Sequence, residues 1–378
     1  MDNLIAANLR QRPIRSLVSV IGVALGVVLV MLFTGLARGM SNDLQRRSQN
    51  LRAEIIFTRP GTMDNLTSSP ANLSTKYVDN LKAIDGVESA VPVIRYVFQG
   101  GAGFGFEQIE GVDWEPFARM NGVSITEGRA PVPLPEESKS ADAMVEVVID
   151  ETKARNSSTG IGGVLKLFGD IPHRVVGIYA PESGARVKMS LNDMQYRVEA
   201  AGKCTYILIK AKGGIDEKTL AERIEADPRT TGNKIQFTRD VFTSIEKSIP
   251  YLGLFLKVLV GLAAVVSALV VMLAMYTTVT ERTREIGILK AMGASRGYII
   301  GVIEKEAILI SALGLVLGFG VALIAGTVIQ RTYGLVFEYG WDWAVAAALI
   351  GLLGGAVGAL YPAIRAANLD AVSALSYE

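Results

Sequence analysis

Residue types that carry most enzymatic chemistry are scarce in this chain of 378 residues. It holds a single histidine, His173, and a single cysteine, Cys204. One histidine cannot supply an HExxH motif or a multi-histidine zinc site, so we predict no metal ligands. We expect His173 at a turn or strand edge. We expect Cys204 to be an inert, half-buried thiol, since one cysteine allows no intrachain disulfide.

The usual nucleotide-binding loops are also missing from the sequence. A P-loop requires Gly-x4-Gly-Lys-Ser/Thr, and the only Gly-Lys pair, Gly202-Lys203, is followed by cysteine. The glycine-rich GGAGFGF at 100–106 lacks the G-x-G-x-x-G order, and we interpret it as a flexible hairpin or loop. Ser244 and Lys247 match S-x-x-K without companion motifs, which we attribute to chance. We therefore predict no catalytic residues and expect that the chain is not an enzyme.

A charged stretch, ERTREIGILKAMGAS at 281–295, lies between two long apolar segments. Its apolar residues recur at three-residue spacing: Ile286, Leu289 and Met292, with Ile288 beside them. This pattern predicts a short helix that is apolar on one side and charged on the rest. Gly293 permits a left-handed helix end, and Ser295 can cap the next helix. The alternative to this sharp reversal is a plain connecting loop.

Four segments without any charged residue flank this stretch and a charge-rich central block: 16–37, 258–280, 307–330 and 343–364. At about 1.5 Å per residue, each is long enough to cross a hydrocarbon core of roughly 30 Å. Core helices of a soluble protein have no reason to avoid charge over such lengths. We therefore predict four transmembrane helices. The 38 basic and 37 acidic residues balance, which argues against nucleic acid as a partner.

The order of these segments predicts the membrane topology. Three arginines (Arg10, Arg12 and Arg15) precede the first segment, which favours a cytoplasmic N-terminus, and we interpret that segment as an uncleaved signal anchor. The resulting division is as follows: cytoplasmic N-terminus and transmembrane helix 1 at 1–40, extracytoplasmic domain at 41–248, helix 2 at 249–280, cytoplasmic segment at 281–306, helix 3 at 307–330, short outer loop at 331–342, helix 4 at 343–364, and cytoplasmic C-terminus at 365–378.

The central block has the composition of an α+β domain. Branched and aromatic residues predict strands at 54–59, 146–150, 174–179 and 205–210, and helical composition marks 75–84 and 216–226. The proline-rich segment 131–143 is expected to be an exposed loop. The fold class is thus a four-helix α-helical membrane protein, with a large α+β extracytoplasmic domain inserted between helices 1 and 2.

Glycines one helical turn apart occur inside the predicted transmembrane helices and let helix backbones approach closely. They are Gly22 with Gly26, Gly314 with Gly318, Gly351 with Gly355, and Gly354 with Gly358. Packing within one chain and packing across a dimer are both open, with Gly22 and Gly26 preferred as the dimer contact.

Three segments together resemble a known family. ERTREIGILKAMGASRGYIIGVIEKEAIL, NLRQRPIRSLVSVIGVALGV and GALYPAIRAANLDAVSAL are similar to the FtsX-like, MacB-type permeases of ABC transporters, including the lipoprotein-releasing LolC and LolE subunits. The resemblance implies that the cytoplasmic segment couples the permease to an ATPase. The coupling residues would be Glu281, Arg282, Arg284, Glu285, Ile286, Gly287, Leu289, Lys290, Gly293, Ala294 and Ser295.

The resemblance also implies partners and a location. We expect a cytoplasmic ABC ATPase dimer on a separate polypeptide, which would bind ATP and Mg²⁺ while this chain binds no cofactor. A second permease copy, identical or paralogous, would complete the membrane unit. A membrane-fusion adaptor and an outer-membrane channel are further candidates. The resemblance places the chain in the bacterial inner membrane as a multi-pass protein, with its large domain on the periplasmic side.

Two functions follow from that resemblance. The first is mechanotransmission: ATP hydrolysis by the partner moves the extracytoplasmic domains, which export or extract a lipid, lipoprotein, peptide or drug-like substrate. The alternative is an FtsX-like signalling subunit that activates an extracytoplasmic cell-wall hydrolase without transport. The size of the central domain favours the first, because the FtsX branch usually has a smaller one.

Overall fold

A computed structural model describes residues 13–62, 70–99, 106–140, 143–157, 159–168, 170–240, 252–333 and 335–369. The chain divides into two compact units. One comprises residues up to 40, 250–329 and from 336 onward, and the other comprises 41–249 with 330–335. We call them the membrane unit and the outer unit.

Helices in the described residues are α1 (Pro13–Gln49), α2 (Tyr77–Lys82), α3 (Trp114–Asn121), α4 (Glu151–Ser157), α5 (Leu191–Arg197), α6 (Glu217–Ala226), α7 (Leu252–Glu281), α8 (Thr283–Ala291), α9 (Arg296–Tyr333) and α10 (Trp341–Ala367). Four of them are long and apolar enough to span a membrane: α1, α7, α9 and α10. All four extend beyond the charge-free segments, because charged residues at their ends continue the helix.

Strands of the outer unit are β1 (Ile55–Thr58), β2 (Leu73–Ser74), β3 (Val87–Gln99), β4 (Phe106–Val112), β5 (Ser124–Gly128), β6 (Val145–Asp150), β7 (Val164–Leu167), β8 (Ile171–Ala180), β9 (Val187–Ser190), β10 (Lys203–Cys204), β11 (Tyr206–Ala211) and β12 (Lys234–Phe237). They form one large mixed sheet in the order β12-β1-β11-β3-β4-β9-β6-β8-β5, with β7 beside β8. β2 and β10 pair separately.

Long strand β3 connects the two halves of this sheet. Its first half pairs with β11 and its second half with β4, both antiparallel. β1 is buried on both faces of the sheet, because its consecutive residues enter different apolar clusters: Ile55 and Phe57 lie in one, and Ile56 lies in the other. The mixed sheet with its short helices confirms the expected α+β class.

Most of the expected elements are present. Strands β1, β6, β8 and β11 and helices α2 and α6 fall on the segments predicted for them, and Asp216 caps α6 by accepting a hydrogen bond from the Lys218 amide at 3.2 Å. The described part of 131–143 is largely exposed and contains a short 3-10 turn at Glu136–Ser138. The S-x-x-K motif and most of the glycine-rich stretch lie outside the described residues.

His173 differs from the expectation. It lies inside β8, opposite Val145 of β6 and Leu165 of β7, and its side chain is fully buried. The predicted turn or strand-edge position is wrong because β8 begins at Ile171, before the apolar run that the sequence shows. Cys204 is likewise fully buried in β10, more so than the expected half-buried thiol.

The glycines of the membrane unit lie at helix contacts within one chain. A Cβ at Gly22 would lie 2.3 Å from the Val270 side chain of α7, and one at Gly26 would lie 2.3 Å from Ser267. Gly314 and Gly318 face α1, and Gly351, Gly354, Gly355 and Gly358 face α7 or α9. The preferred dimer contact at Gly22 and Gly26 is therefore not supported, because α7 already occupies that face.

Candidate functional site

Helix α8 is a separate short helix between two membrane helices. α7 ends at Glu281, and Arg282 has φ −106° and ψ 17°, which interrupts the helical path before Thr283. At the other end, the amide of Gly293 donates to the Lys290 carbonyl at 2.9 Å and the amide of Ala294 to the Leu289 carbonyl at 3.0 Å. This is a Schellman ending, which needs the left-handed backbone that Gly293 supplies at φ +91°.

The next helix begins immediately after this reversal. The Ser295 hydroxyl accepts a hydrogen bond from the Tyr298 amide at 3.2 Å and so caps the start of α9. The sharp reversal predicted from Gly293 and Ser295 is therefore present, and a plain loop is excluded. Local hydrogen bonds therefore fix the reversal between α8 and α9.

One side of α8 packs into the membrane unit. Arg282, Ile286 and Lys290 are spaced four residues apart, which places them on neighbouring turns of one face. Ile286 is buried in an apolar cluster that includes Ile299 and Ile303 of α9. We call Arg282, Ile286 and Lys290 the anchoring face.

Polar contacts secure both ends of the anchoring face. The Arg282 guanidinium lies 3.7 Å from the Glu306 carboxylate of α9, and both side chains are largely buried. The Lys290 ammonium donates to the backbone carbonyl of Leu369, just beyond the end of α10. The Arg282 contact therefore connects α8 to α9, and the Lys290 contact connects it to the segment that follows α10.

The opposite side of α8 is exposed. Ile288 is 45% exposed and Met292 is 71% exposed, one helical turn apart. The charged residues Glu281, Arg284 and Glu285 are also exposed, as are Ala291 and Ser295. We call the set Glu281, Arg284, Glu285, Ile288 and Met292 the exposed face. It combines an apolar centre with charges of both signs.

The exposed face differs from the amphipathic pattern expected from the sequence. Ile286, Leu289 and Met292 were predicted to share an apolar side, yet Ile286 is buried, Leu289 is half-buried and Met292 is exposed. Gly287 is buried, Gly293 is exposed and Ala294 is half-buried. Five of the expected coupling residues are therefore exposed: Glu281, Arg284, Glu285, Gly293 and Ser295. Four others are buried or contact the rest of the membrane unit: Arg282, Ile286, Gly287 and Lys290. Ile288 and Met292 were missed as surface residues, although the steps of four, three and four residues from Glu281 through Glu285 and Ile288 to Met292 place all four on one side of a helix.

The outer unit contains a buried charge cluster that the sequence did not indicate. The Lys188 ammonium lies 2.8 Å from the Glu110 carboxylate and donates to the carbonyls of Ser183 and Ala185 at 2.6 and 2.8 Å. Arg95 lies 3.1 Å from the same carboxylate. Burial alone would raise the pKa of Glu110, but the Lys188 and Arg95 charges outweigh it and hold the pKa at about 2. Glu110 is therefore ionised within the domain core.

Neither unit shows a metal centre in the residues that the structure describes. No group of three or more histidine, cysteine, aspartate or glutamate side chains is positioned there to hold a metal ion. The His173 ring nitrogen Nδ1 lies 2.8 Å from the Ile171 carbonyl, and burial lowers the pKa of His173 to about 4. Burial within the sheet is the main cause of that low pKa.

Family models match both parts of the sequence. A model described as the MacB-like periplasmic core domain matches residues 16–227, which is more than half of the chain, and a model described as the FtsX-like permease C-terminal matches residues 257–371. The chain belongs to this family. It is a MacB-type permease of the ABC transporter class, a multi-pass membrane protein with the α+β periplasmic core domain inserted between its first two membrane helices.

Two curated relatives and one solved structure are similar to this chain. The macrolide export ATP-binding/permease protein MacB of Escherichia coli is 27% identical across 98% of this chain and 59% of that protein. The corresponding protein of Shewanella oneidensis is 27% identical across 97% of this chain and 58% of that protein. The chain therefore spans less than two thirds of the length of these curated relatives. The crystal structure of the periplasmic region of MacB from Actinobacillus actinomycetemcomitans is similar at 18% identity and a TM-score of 0.36, covering 52% of this chain and 95% of that one.

Proposed function

We propose that this MacB-type permease is driven by an ABC ATPase that binds the exposed face of α8 from the cytoplasm. ATP hydrolysis by that partner would move the membrane helices and the outer unit, which would export or extract a lipid, lipoprotein, peptide or drug-like substrate. Under this proposal the permease performs no hydrolysis itself. The partner binds ATP and Mg²⁺, and its conformational change moves the permease through α8.

A single observation carries the proposal: α8 is fixed on one face and open on the other. Exposed large apolar side chains on a well-anchored element are typical of interaction surfaces. Charged residues around such an apolar centre fix the orientation in which a partner binds. Ile288 and Met292 provide the centre, and Arg284 and Glu285 make no ion pair with any described residue. No P-loop motif occurs in the sequence, which supports the proposal that a partner hydrolyses ATP.

Sidedness and assembly belong to the same proposal. With the N-terminus in the cytoplasm, α8 faces the cytoplasm and the outer unit faces the periplasm of a bacterial inner membrane. A second permease copy would present a second α8 to a dimeric ATPase. A membrane-fusion adaptor and an outer-membrane channel would be periplasmic partners. The match to the MacB-like periplasmic core domain supports transport over signalling as the purpose of the motion.

A pull-down tests the proposed ATPase contact. The detergent-solubilised permease is purified from its native membrane as wild type, Ile288→Asp and Met292→Asp, and every co-purifying protein is identified by mass spectrometry. We expect a P-loop ATPase with wild type and a strong loss with either variant, because each buries an unpaired carboxylate in the contact. Lys305→Gln, an exposed change on α9, is the matched control and should retain the ATPase. Equal recovery with all four forms would contradict the proposal.

A further inference from the structure

We propose that the Arg282–Glu306 ion pair is a positioning device that fixes α8 to α9, so that force applied to the exposed face enters the third membrane helix at Glu306. This inference rests on the proposed ATPase contact and goes beyond it, because it removes Arg282 from the set of contact residues. Arg282 acts through α8, and the partner touches only the exposed face.

Burial of the pair is the first observation. The Arg282 side chain is 14% exposed and the Glu306 side chain 9% exposed, at a separation of 3.7 Å. A buried carboxylate is costly unless opposite charge compensates it, so loss of Arg282 would remove compensation that Glu306 has in the folded chain. Glu306 directly precedes the charge-free segment 307–330 of α9, where the surroundings become apolar. Separating Arg282 from Glu306 is therefore electrostatically unfavourable.

Geometry of α8 supplies the second observation. One turn after Arg282, Ile286 lies in the same buried apolar cluster as Ile299 and Ile303, which belong to the same helix as Glu306. An ion pair and a shared apolar cluster thus join α8 to α9 at two successive turns. Arg284, two residues after Arg282, lies instead on the exposed face. The two arginines are close in sequence, yet their side chains have opposite surroundings.

These observations predict different roles for Arg282 and Arg284. If Arg282 positions α8 through its attraction to Glu306, exchanging the two charges should keep that attraction. If it contacts the ATPase, exchanging Glu306 cannot restore what is lost. Arg284 has no such partner among the described residues, so no change at Glu306 should compensate for its reversal.

A charge-exchange experiment separates the roles. Wild type, Arg282→Glu, Glu306→Arg and the double variant are purified from native membranes, and the ATPase recovered per permease is measured. We expect each single variant to lose about tenfold in recovery and the double variant to return to within about threefold of wild type, as coupled neighbours do in double-mutant cycles. Arg284→Glu should lose recovery, and adding Glu306→Arg to it should not restore any.

Two results would overturn the positioning role: single variants indistinguishable from wild type, or a double variant no better than the worse single. The thermal unfolding midpoint in detergent gives a second readout that needs no ATPase. Each single variant should lower the midpoint and the double variant should restore it. If wild type recovers no ATPase at all, the proposed function fails, while the midpoint series still decides whether the pair fixes α8 to α9.

Discussion

The ammonium group of Lys188 lies 2.8 Å from the Glu110 carboxylate, with both side chains fully buried in the outer unit. Lys188 also donates hydrogen bonds to two carbonyls of the loop that follows β8. One side chain therefore neutralises a buried carboxylate and holds this loop against the sheet. We expect Lys188→Ala to lower the free energy of unfolding by about 3–5 kcal/mol, because it leaves a buried charge with one partner fewer. Chemical denaturation of the solubilised chain measures this. Lys203→Ala, at an exposed strand position, should have little effect, and an equal loss at both sites would refute the assignment.

His173 makes stability depend on pH in a defined direction. Burial lowers the pKa of His173 from 6.5 to about 4 in the folded state. As pH falls from about 6.5 towards 4, the unfolded chain takes up a proton at this histidine before the folded chain does, so the folded state loses stability. Above that range His173 contributes no pH dependence.

Replacing His173 tests that direction. His173→Phe should reduce the slope of stability against pH between about 6.5 and 4, because phenylalanine does not titrate. The measurement is the unfolding midpoint at several pH values, compared with wild type. Identical slopes for the two proteins would show that His173 titrates normally in the folded state.

Cys204 offers a direct report on unfolding of the outer unit. Burial raises the pKa of its thiol to about 12, so the reactive thiolate is nearly absent at neutral pH. We expect maleimide or iodoacetamide to modify the folded permease negligibly, and to modify it rapidly once denaturant opens the sheet. Mass spectrometry over time measures this. Fast labelling without denaturant would contradict the burial of Cys204.

Gly318 and Gly320 of α9 form a matched pair for testing helix packing. A Cβ at Gly318 would lie 2.8 Å from Val27 and 2.9 Å from the Ala24 carbonyl, whereas one at Gly320 meets nothing within 4 Å. We therefore expect Gly318→Val to lower the thermal midpoint in detergent strongly, because α1 and α9 have to separate. Gly320→Val should change it little. Similar midpoints for the two variants would mean that α1 does not pack there.

Much of the architecture could be predicted from local patterns. Charge-free segments identified the membrane helices, and the Gly293–Ser295 stretch predicted the reversal after α8, because caps and turns depend on adjacent residues. The strands at 54–59 and 205–210 were recognisable because both faces of the sheet are buried, which produces continuous apolar runs. These features need no knowledge of distant residues.

Long-range packing explains what the sequence left open. Spacing alone put Ile286 and Met292 on one side of α8, but only Ile286 is buried, in an apolar cluster that includes Ile299 and Ile303 of α9. The glycine pairs predicted close helix contacts, yet only the structure shows that Gly22 faces Val270 of the same chain. The Lys188–Glu110 pair joins residues far apart in sequence, so no local sequence pattern predicts it.

Site-specific photo-cross-linking tests the central claim most directly. A photoreactive amino acid is placed at Met292 on the exposed face or at Ile286 on the anchoring face, and membranes containing the ATPase are irradiated. We predict a cross-link to a P-loop ATPase from position 292, where the side chain is 71% exposed, and none from position 286, where it is buried. Equal cross-linking from both positions, or from neither while the ATPase co-purifies, would contradict the assignment of the exposed face of α8 as the ATPase contact.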